Sequence, residues 1–438
     1  MQQGARGVRQ IYSILFYAAA PFLLARLYWK GRLQPGYRER IAERFGFQGK
    51  GGEEPVDFWF HAVSVGECEA AFPVIQALLR EDPALRLLVT CTTPTGSARI
   101  RAVLGDRVRH VYLPYDMPAA VERFLNHFKP SLAVILETEI WPNLFSACLK
   151  HDIPLAIING RLSAKSTRAY RRLRGIAREA LGAARLIAAQ TAEDAERYVA
   201  IGADPGRVKV MGNIKFDIDF DEAMRHSVSA LRESLFGQRP VWIAGSTHPG
   251  EEEVLLDALA ILRESVPDGV LVIAPRHPER AVQVRQLCEQ RGLRVVNRSE
   301  GQVCGPETPI FLIDGVGELR TFYGTADVAF IGGSLIPHGG QNPLEAAITG
   351  IPVLFGPNMA NFRDMAGRLL EQGAAVQVTD AAALAREVLN CLHQPEQARD
   401  MGRRGRAFVE SNRGAVGQVV AMLNEFHPLR PGSKTEQR

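Results

Sequence analysis

The chain has 438 residues, enough for two domains with separate cores, and its 46% hydrophobic and 23% charged residues are ordinary for a globular α/β protein. Six cysteines (68, 91, 148, 288, 304, 391) show no C-x-x-C and no regular spacing, which argues against a disulfide framework or zinc site and fits reduced thiols in the cytosol. The net charge of +4 is uneven, with nine Lys/Arg against two Glu in residues 1–50 and eight against one in 161–185; an anionic membrane or substrate is the natural partner, and no aromatic-interleaved basic motif marks a nucleic-acid reader.

The first predicted element is the apolar stretch Ile11 to Trp29, IYSILFYAAAPFLLARLYW. Uninterrupted, Ile11 to Ala25 is 15 residues, short of the roughly 20 that span a bilayer. Arg26 can snorkel, and Tyr28 and Trp29 suit the interface, so a span reaching Trp29 is feasible. The basic residues that follow, from Lys30 to Arg44, put the C-terminal side in the cytoplasm. A signal peptide cut after Ala18-Ala19-Ala20 is opposed by Pro21, and an ordinary core helix is the other alternative.

After a Gly-rich linker (Gln48 to Pro55), strands and helices alternate. Strands are predicted at Val56–Val63, Leu85–Thr92, Val108–Leu113, Leu132–Glu137, Leu155–Asn159 and Leu186–Gln190, with a helix at Cys68–Leu79: a doubly wound domain. Residues 216–238 read as linker plus helix. A second series has strands at Val241–Ala244, Val270–Ala274, Phe311–Ile313, Val328–Ile331 and Val353–Phe355, and helices from Ala381 to Phe426 close it. The expected division is a membrane anchor over 1–30, a first domain over 31–217, a linker over 218–239, a second domain over 240–427 and a disordered tail over 428–438.

Chemistry-bearing residues fall at the strand ends. His61-Ala62-Val63-Ser64-Val65-Gly66-Glu67 has capping-box spacing between Ser64 and Glu67, and it equally suits a general base at a strand C-terminus. Two carboxylates beside Trp141-Pro142, Glu137 and Glu139, are costly at a strand end unless paired or functional. Arg161 could pair with them or with an acidic ligand, and Lys215 stands at the domain junction. In the second half, Pro275-Arg276-His277-Pro278-Glu279-Arg280 follows a strand and suits a phosphate or carboxylate. Between Pro306 and Pro357 the pattern reads as a nucleotide half-site, and it equally suits a plain Gly-rich turn ahead of a core helix. It contains Val316-Gly317-Glu318, then the loop Gly332 to Gln341, then Asn342-Pro343-Leu344-Glu345. Asn342 is a good N-cap, Pro343 suits the first helical position, and Glu345 can accept from ribose hydroxyls. One phosphate and one ribose without a loop lysine suggest a nucleotide held as a leaving group. Neither a Walker motif nor G-x-G-x-x-G is present, against a P-loop NTPase and against an epimerase or dehydrogenase on paired Rossmann domains. No metal-ligand spacing stands out.

Taken in order, HAVSVGE, ETEIWPN, NGRLS, GNIKFD, GSTHPGEE, PRHPER, VGEL and GGSLIPHGGQNPLEAA resemble the bacterial 3-deoxy-D-manno-octulosonic acid (Kdo) transferases of lipopolysaccharide assembly over nearly the whole chain. The resemblance implies a GT-B fold, two Rossmann-like doubly wound domains facing a cleft, acceptor-binding first and donor-binding second. It implies inverting transfer of Kdo from CMP-Kdo to a tetraacylated, bisphosphorylated lipid A precursor at the inner face of the inner membrane, without cofactor, metal or nucleic acid. It assigns the base to Glu67 and transition-state roles to Glu137 and Lys215. It assigns CMP binding to Pro275, Arg276, Val316, Gly317, Glu318 and Asn342 through Glu345. Gly160 departs from the pattern, where relatives often carry alanine. Another GT-B enzyme using a UDP-sugar, or a non-catalytic CMP-sugar-binding membrane protein, are the alternatives.

Overall fold

The computed structural model describes residues 2–49, 55–172 and 174–426; the tail expected at 428–438 lies outside the described residues. The chain forms two compact units, one from residues up to Asp217 with those from Arg413 onward, the other from Ile218 to Asn412.

The first unit opens on helix α1 (Gln2–Leu33). Strands β1 (Phe58–His61), β2 (Leu87–Cys91), β3 (Arg109–Tyr112), β4 (Leu132–Leu136), β5 (Leu155–Gly160), β6 (Ala184–Ala189) and β7 (Val208–Val210) follow. They alternate with α2 (Val65–Glu81), α3 (Pro94–Leu104), α4 (Pro118–Phe128), α5 (Pro142–Lys150), α6 (Ala164–Arg172), α7 (Arg174–Leu181) and α8 (Ala192–Ile201). The sheet runs β3-β2-β1-β4-β5-β6-β7 with every pair parallel. Helices cover both faces, which is why the strands read as continuous apolar runs. In β1, Phe58 and Phe60 enter one core and Trp59 the other, as the period of two requires.

The second unit begins with α9 (Glu222–Phe236). Its strands are β8 (Val241–Thr247), β9 (Val270–Pro275), β10 (Val295–Asn297), β11 (Ile310–Leu312), β12 (Val328–Ile331), β13 (Val353–Phe355) and β14 (Ala375–Gln377). Its further helices are α10 (Glu251–Arg263), α11 (Ala281–Gln290), α12 (Leu319–Thr325), α13 (Leu344–Ala347), α14 (Arg363–Glu371), α15 (Ala381–His393) and α16 (Pro395–Ser411). The order is β10-β11-β9-β8-β12-β13-β14, again all parallel. Sequence reading misses β7, β10 and β14, each three residues long and at or next to a sheet edge. Such strands need no long apolar run, because one side has no neighbour to bury it.

The expected division needs two corrections. The second domain does not extend to 427: helix α17 (Ala415–Phe426) returns to the first unit, where Val419, Val420 and Leu423 join the core of Phe72 and Ile75. The Asp217 carboxylate fixes its start, accepting from Gly414 N at 2.5 Å and Val416 N at 2.6 Å. The helix expected within 216–238 is α9, but 218–239 belongs to the second unit rather than to a linker: α9 buries Leu235 and Phe236, and Phe236 meets Phe311 edge-on at 5.3 Å. An amphipathic helix shows which face it will bury, not which core will receive it.

Candidate active site

In the first unit the end of β1 leads directly into α2. Ser64 caps α2, and the Glu67 side chain turns back past it. One carboxylate oxygen accepts from Val63 N at 2.6 Å and the other from the Ser64 hydroxyl at 3.2 Å. The cap expected from the spacing is thus built, with both carboxylate oxygens in it. Burial is the largest cause that pushes the Glu67 carboxyl up to about 7, with the charges of Glu137 and Glu139 adding to it and the Val63 amide opposing. That places it where a base can both exist charged and accept a proton at neutral pH. Gly66, beside it, is exposed.

Glu137 ends β4 with φ +55°, a conformation in which a non-glycine residue is strained by roughly 1–3 kcal/mol. Its carbonyl accepts from the buried Tyr198 hydroxyl at 2.8 Å, which holds the turn. Its carboxylate faces Lys215, Nζ to Oε1 3.4 Å. Burial and the Glu137 charge raise Glu139 as well. Glu67, Glu137, Glu139 and Lys215, separated by up to 148 positions in the sequence, therefore lie close enough to act on one another. Asn159 is also left-handed, at φ +53°, and its side-chain oxygen accepts Ile214 N at 3.2 Å, tying the NGR turn to the segment that carries Lys215. Arg161, next to it, is exposed, and its carbonyl accepts the Thr138 hydroxyl. A Cβ at Gly160 would stand 3.1 Å from the Tyr198 ring, so alanine there would press on the residue that holds Glu137.

In the second unit the strand ends carry a different chemistry. Glu251, fully buried at the start of α10, accepts four backbone N–H groups: Gly333 at 2.6 Å, Ser334 at 2.9 Å, Leu335 at 3.0 Å and His248 at 3.1 Å. A loop of successive amides of this kind ordinarily receives an anion. Here a side chain of the protein occupies it, so those three glycine-loop amides are not open to a nucleotide phosphate. The loop packs so closely that a Cβ on Gly332 would lie 2.3 Å from the Ser246 carbonyl oxygen.

Three histidines from three strand-end loops meet above this turn. The His248 ring lies 3.8 Å from that of His338 and 6.3 Å from that of His277, and its Nε2 is 3.0 Å from Gln341 Nε2. Burial first, then His338, His277, Arg276 and Arg280, lower His248 to about 4, so it is neutral at pH 7. Of the two expected cations, Arg280 is engaged by Glu252 at 2.8 and 3.3 Å, while Arg276 has an exposed side chain. Glu318 is paired with Arg298 at 3.0 Å, and Val316 and Gly317 stand exposed beside it. The Asn342 side-chain oxygen accepts Leu344 N at 3.1 Å, two residues ahead of the start of a one-turn helix, and Pro343, expected at the first helical position, is its buried N-cap residue. His248, His338 and Gln341 were quoted within motifs but not singled out by sequence. Their signal is that His248 directly follows β8 and that His338 and Gln341 lie in the glycine-rich loop after β12.

Residues 39–218 match the family described as 3-deoxy-D-manno-octulosonic-acid transferase (kdotransferase), and 252–408 match glycosyl transferases group 1. The chain is 36% identical over 420 residues to a 3-deoxy-D-manno-octulosonic acid transferase of Haemophilus influenzae, covering 95% of this chain and 98% of the relative. It is 34% identical over 430 residues to that of Bordetella pertussis, covering 95% and 99%. Among solved structures, a UDP-GlcNAc 2-epimerase from Neisseria meningitidis aligns with 85% of this chain and all of its own at a TM-score of 0.54 and 16% identity, a likeness of fold alone. The architecture is of the GT-B type, two Rossmann-like units in one chain.

Proposed function

Because the chain belongs to the 3-deoxy-D-manno-octulosonic-acid transferase family, we propose that it moves Kdo from CMP-Kdo to a tetraacylated lipid A precursor at the cytoplasmic face of the inner membrane. The enzyme is a glycosyltransferase of lipopolysaccharide synthesis. The observation that carries the reading is the Glu67 carboxylate, raised to about 7 and held at a strand end beside Glu137 and Glu139.

In this reading a hydroxyl of the acceptor attacks the anomeric carbon of Kdo. The new carbon–oxygen bond forms as the bond to the CMP phosphate oxygen breaks, and Glu67 takes the hydroxyl proton. One direct displacement inverts the anomeric centre. Lys215, 3.4 Å from Glu137, supplies positive charge while Glu137 orients it. CMP is taken up by the second unit, where Arg276 and the ring N–H groups around His248 suit a phosphate and the Kdo carboxylate. Pro275, Val316, Gly317, Glu318 and Asn342 through Glu345 frame the nucleotide. With Glu251 filling the glycine-loop amides, the phosphate depends on side-chain cations instead. The decisive experiment is incubation with CMP-Kdo generated in situ and the tetraacylated acceptor, with products resolved by mass. CMP against UDP binding separates this donor from a UDP-sugar.

Helix α6 carries the acceptor prediction. Lys165, Arg168, Arg171 and Arg172 are exposed on it, and a basic residue at an anionic lipid surface contributes about 1 kcal/mol. Reversing Arg168, Arg171 and Arg172 to Glu should raise the apparent KM for the lipid acceptor ~10-fold or more and leave CMP affinity unchanged. Equal kinetics with the lipid acceptor would return the helix to a plain solvated face.

Among the described residues no three His, Cys, Asp or Glu side chains gather as ligands. A single phosphate can be neutralised by arginine and lysine alone. With preformed CMP-Kdo, EDTA should therefore leave turnover within about two-fold. Loss of activity restored by Mg²⁺ or Mn²⁺ would contradict the site as described.

A further inference from the structure

Helix α1 is apolar enough to cross a bilayer by length and composition, yet it is docked on the first unit. Its less exposed residues recur at helical spacing from Arg9 through Ser13 and Phe16 to Leu27 and Gly31. Polar ties hold its first half, among them a hydrogen bond between Tyr12 and Asp116. Arg9 pairs with Glu179 of α7 at 3.2 Å, the Ser13 hydroxyl donates to Asn143 of α5 at 3.0 Å, and the Tyr17 hydroxyl accepts Ala119 N of α4 at 3.2 Å. At the other end Arg38 donates to the Tyr28 carbonyl at 3.0 Å, and Gly31 packs so closely on Arg38 that a Cβ there would lie 2.4 Å from its Cγ. Between Tyr17 and Tyr28 only ten residues are without such ties, about 15 Å of helix against a hydrocarbon core of about 30 Å.

The opposite face carries Ile11, Ile14, Leu15, Phe22, Tyr28 and Trp29, each more than half exposed. Arg26 and Arg32 share that face, and Lys30 lies beside it. An apolar strip with aromatic residues and cations at one end matches the boundary between acyl chains and anionic headgroups.

We propose that α1 lies in the plane of the membrane surface, docked on the first unit by one face and embedded in an anionic leaflet by the other, without crossing the bilayer. This rests on the cytoplasmic membrane placement read above and specifies it. Asn143 ends the ETEIWPN motif at the start of α5, so the same helix sets the height of the Glu137–Glu139 turn above the leaflet.

The test uses the full-length protein in spheroplasts and a membrane-impermeant maleimide. Val8→Cys, at an exposed position, should label only after lysis; labelling in intact spheroplasts means that the helix spans, and overturns the proposal. Glu264→Cys, exposed on α10's C-terminal side, reports the side of the catalytic units. If it labels in intact spheroplasts, the cytoplasmic placement itself has failed instead. In a second arm, purified protein should float with vesicles of phosphatidylethanolamine and phosphatidylglycerol. Leu15→Asp with Phe22→Asp should lower the floated fraction at least ~10-fold while CMP binding is kept. Wild-type protein that ignores the vesicles and pairs with a second copy through this face would also overturn the proposal.

Discussion

Glu67→Gln should abolish Kdo transfer while the protein folds and still binds CMP. Glutamine keeps the shape, and its oxygen can still accept Val63 N, so the cap should lose at most ~1 kcal/mol. The amide takes no proton, and loss of a general base costs about 10²–10⁴-fold in rate. In the wild type, kcat/KM should rise with pH through about 7 as Glu67 ionises. Stability supplies an independent sign. A carboxyl raised in the folded state from its ordinary 4.5 to about 7 contributes stability that is full below 4.5 and lost as pH rises through 7. Relative to wild type, the glutamine variant should therefore gain unfolding midpoint between pH 5 and pH 8. Near-normal turnover in the variant would make Glu67 a cap only and move the base to Glu137 or Glu139.

Glu251→Gln should cost the second unit on the order of 3 kcal/mol and lower its unfolding temperature by roughly 10 °C. The carboxylate accepts four N–H groups with no exposure to solvent. A glutamine amide turns one oxygen into a donor, so two N–H groups face N–H instead of an acceptor, at about 1–3 kcal/mol each. The glycine loop then loses its fixed shape, and CMP affinity should fall by roughly ten-fold. Differential scanning calorimetry and titration calorimetry with CMP read the two effects. A variant with wild-type stability and CMP affinity would mean that the loop holds its form without Glu251.

Much of the fold was readable from residues alone. Apolar runs such as Leu132–Leu136 and Val270–Pro275, short and alternating with helical segments, read as strands buried on both faces, because a parallel sheet covered by helices has no polar face. A capping residue such as Ser64 marks where the chain turns from strand to helix. The short strands at and near the sheet edges were not readable, and neither was the return of α17 to the first unit, because both depend on which surface is vacant after the rest has packed.

The candidate site divides in the same way. By itself the sequence determined the residue types at strand ends: Glu67, Glu137, Lys215 and Arg276 each follow an apolar run within a few positions, and Asn342 follows one across a glycine-rich loop. Only the tertiary structure decided what each one meets. It buries Glu67 and, to a smaller extent, adds the charges of Glu137 and Glu139, and so raises a capping carboxylate to about 7. It gives Arg280 to Glu252 and the glycine-loop amides to Glu251, leaving Arg276 exposed. The reason is that local pattern depends on covalent spacing, whereas electrostatic coupling and hydrogen-bond pairing depend on distance through space, which parallel sheets set between residues far apart in the chain.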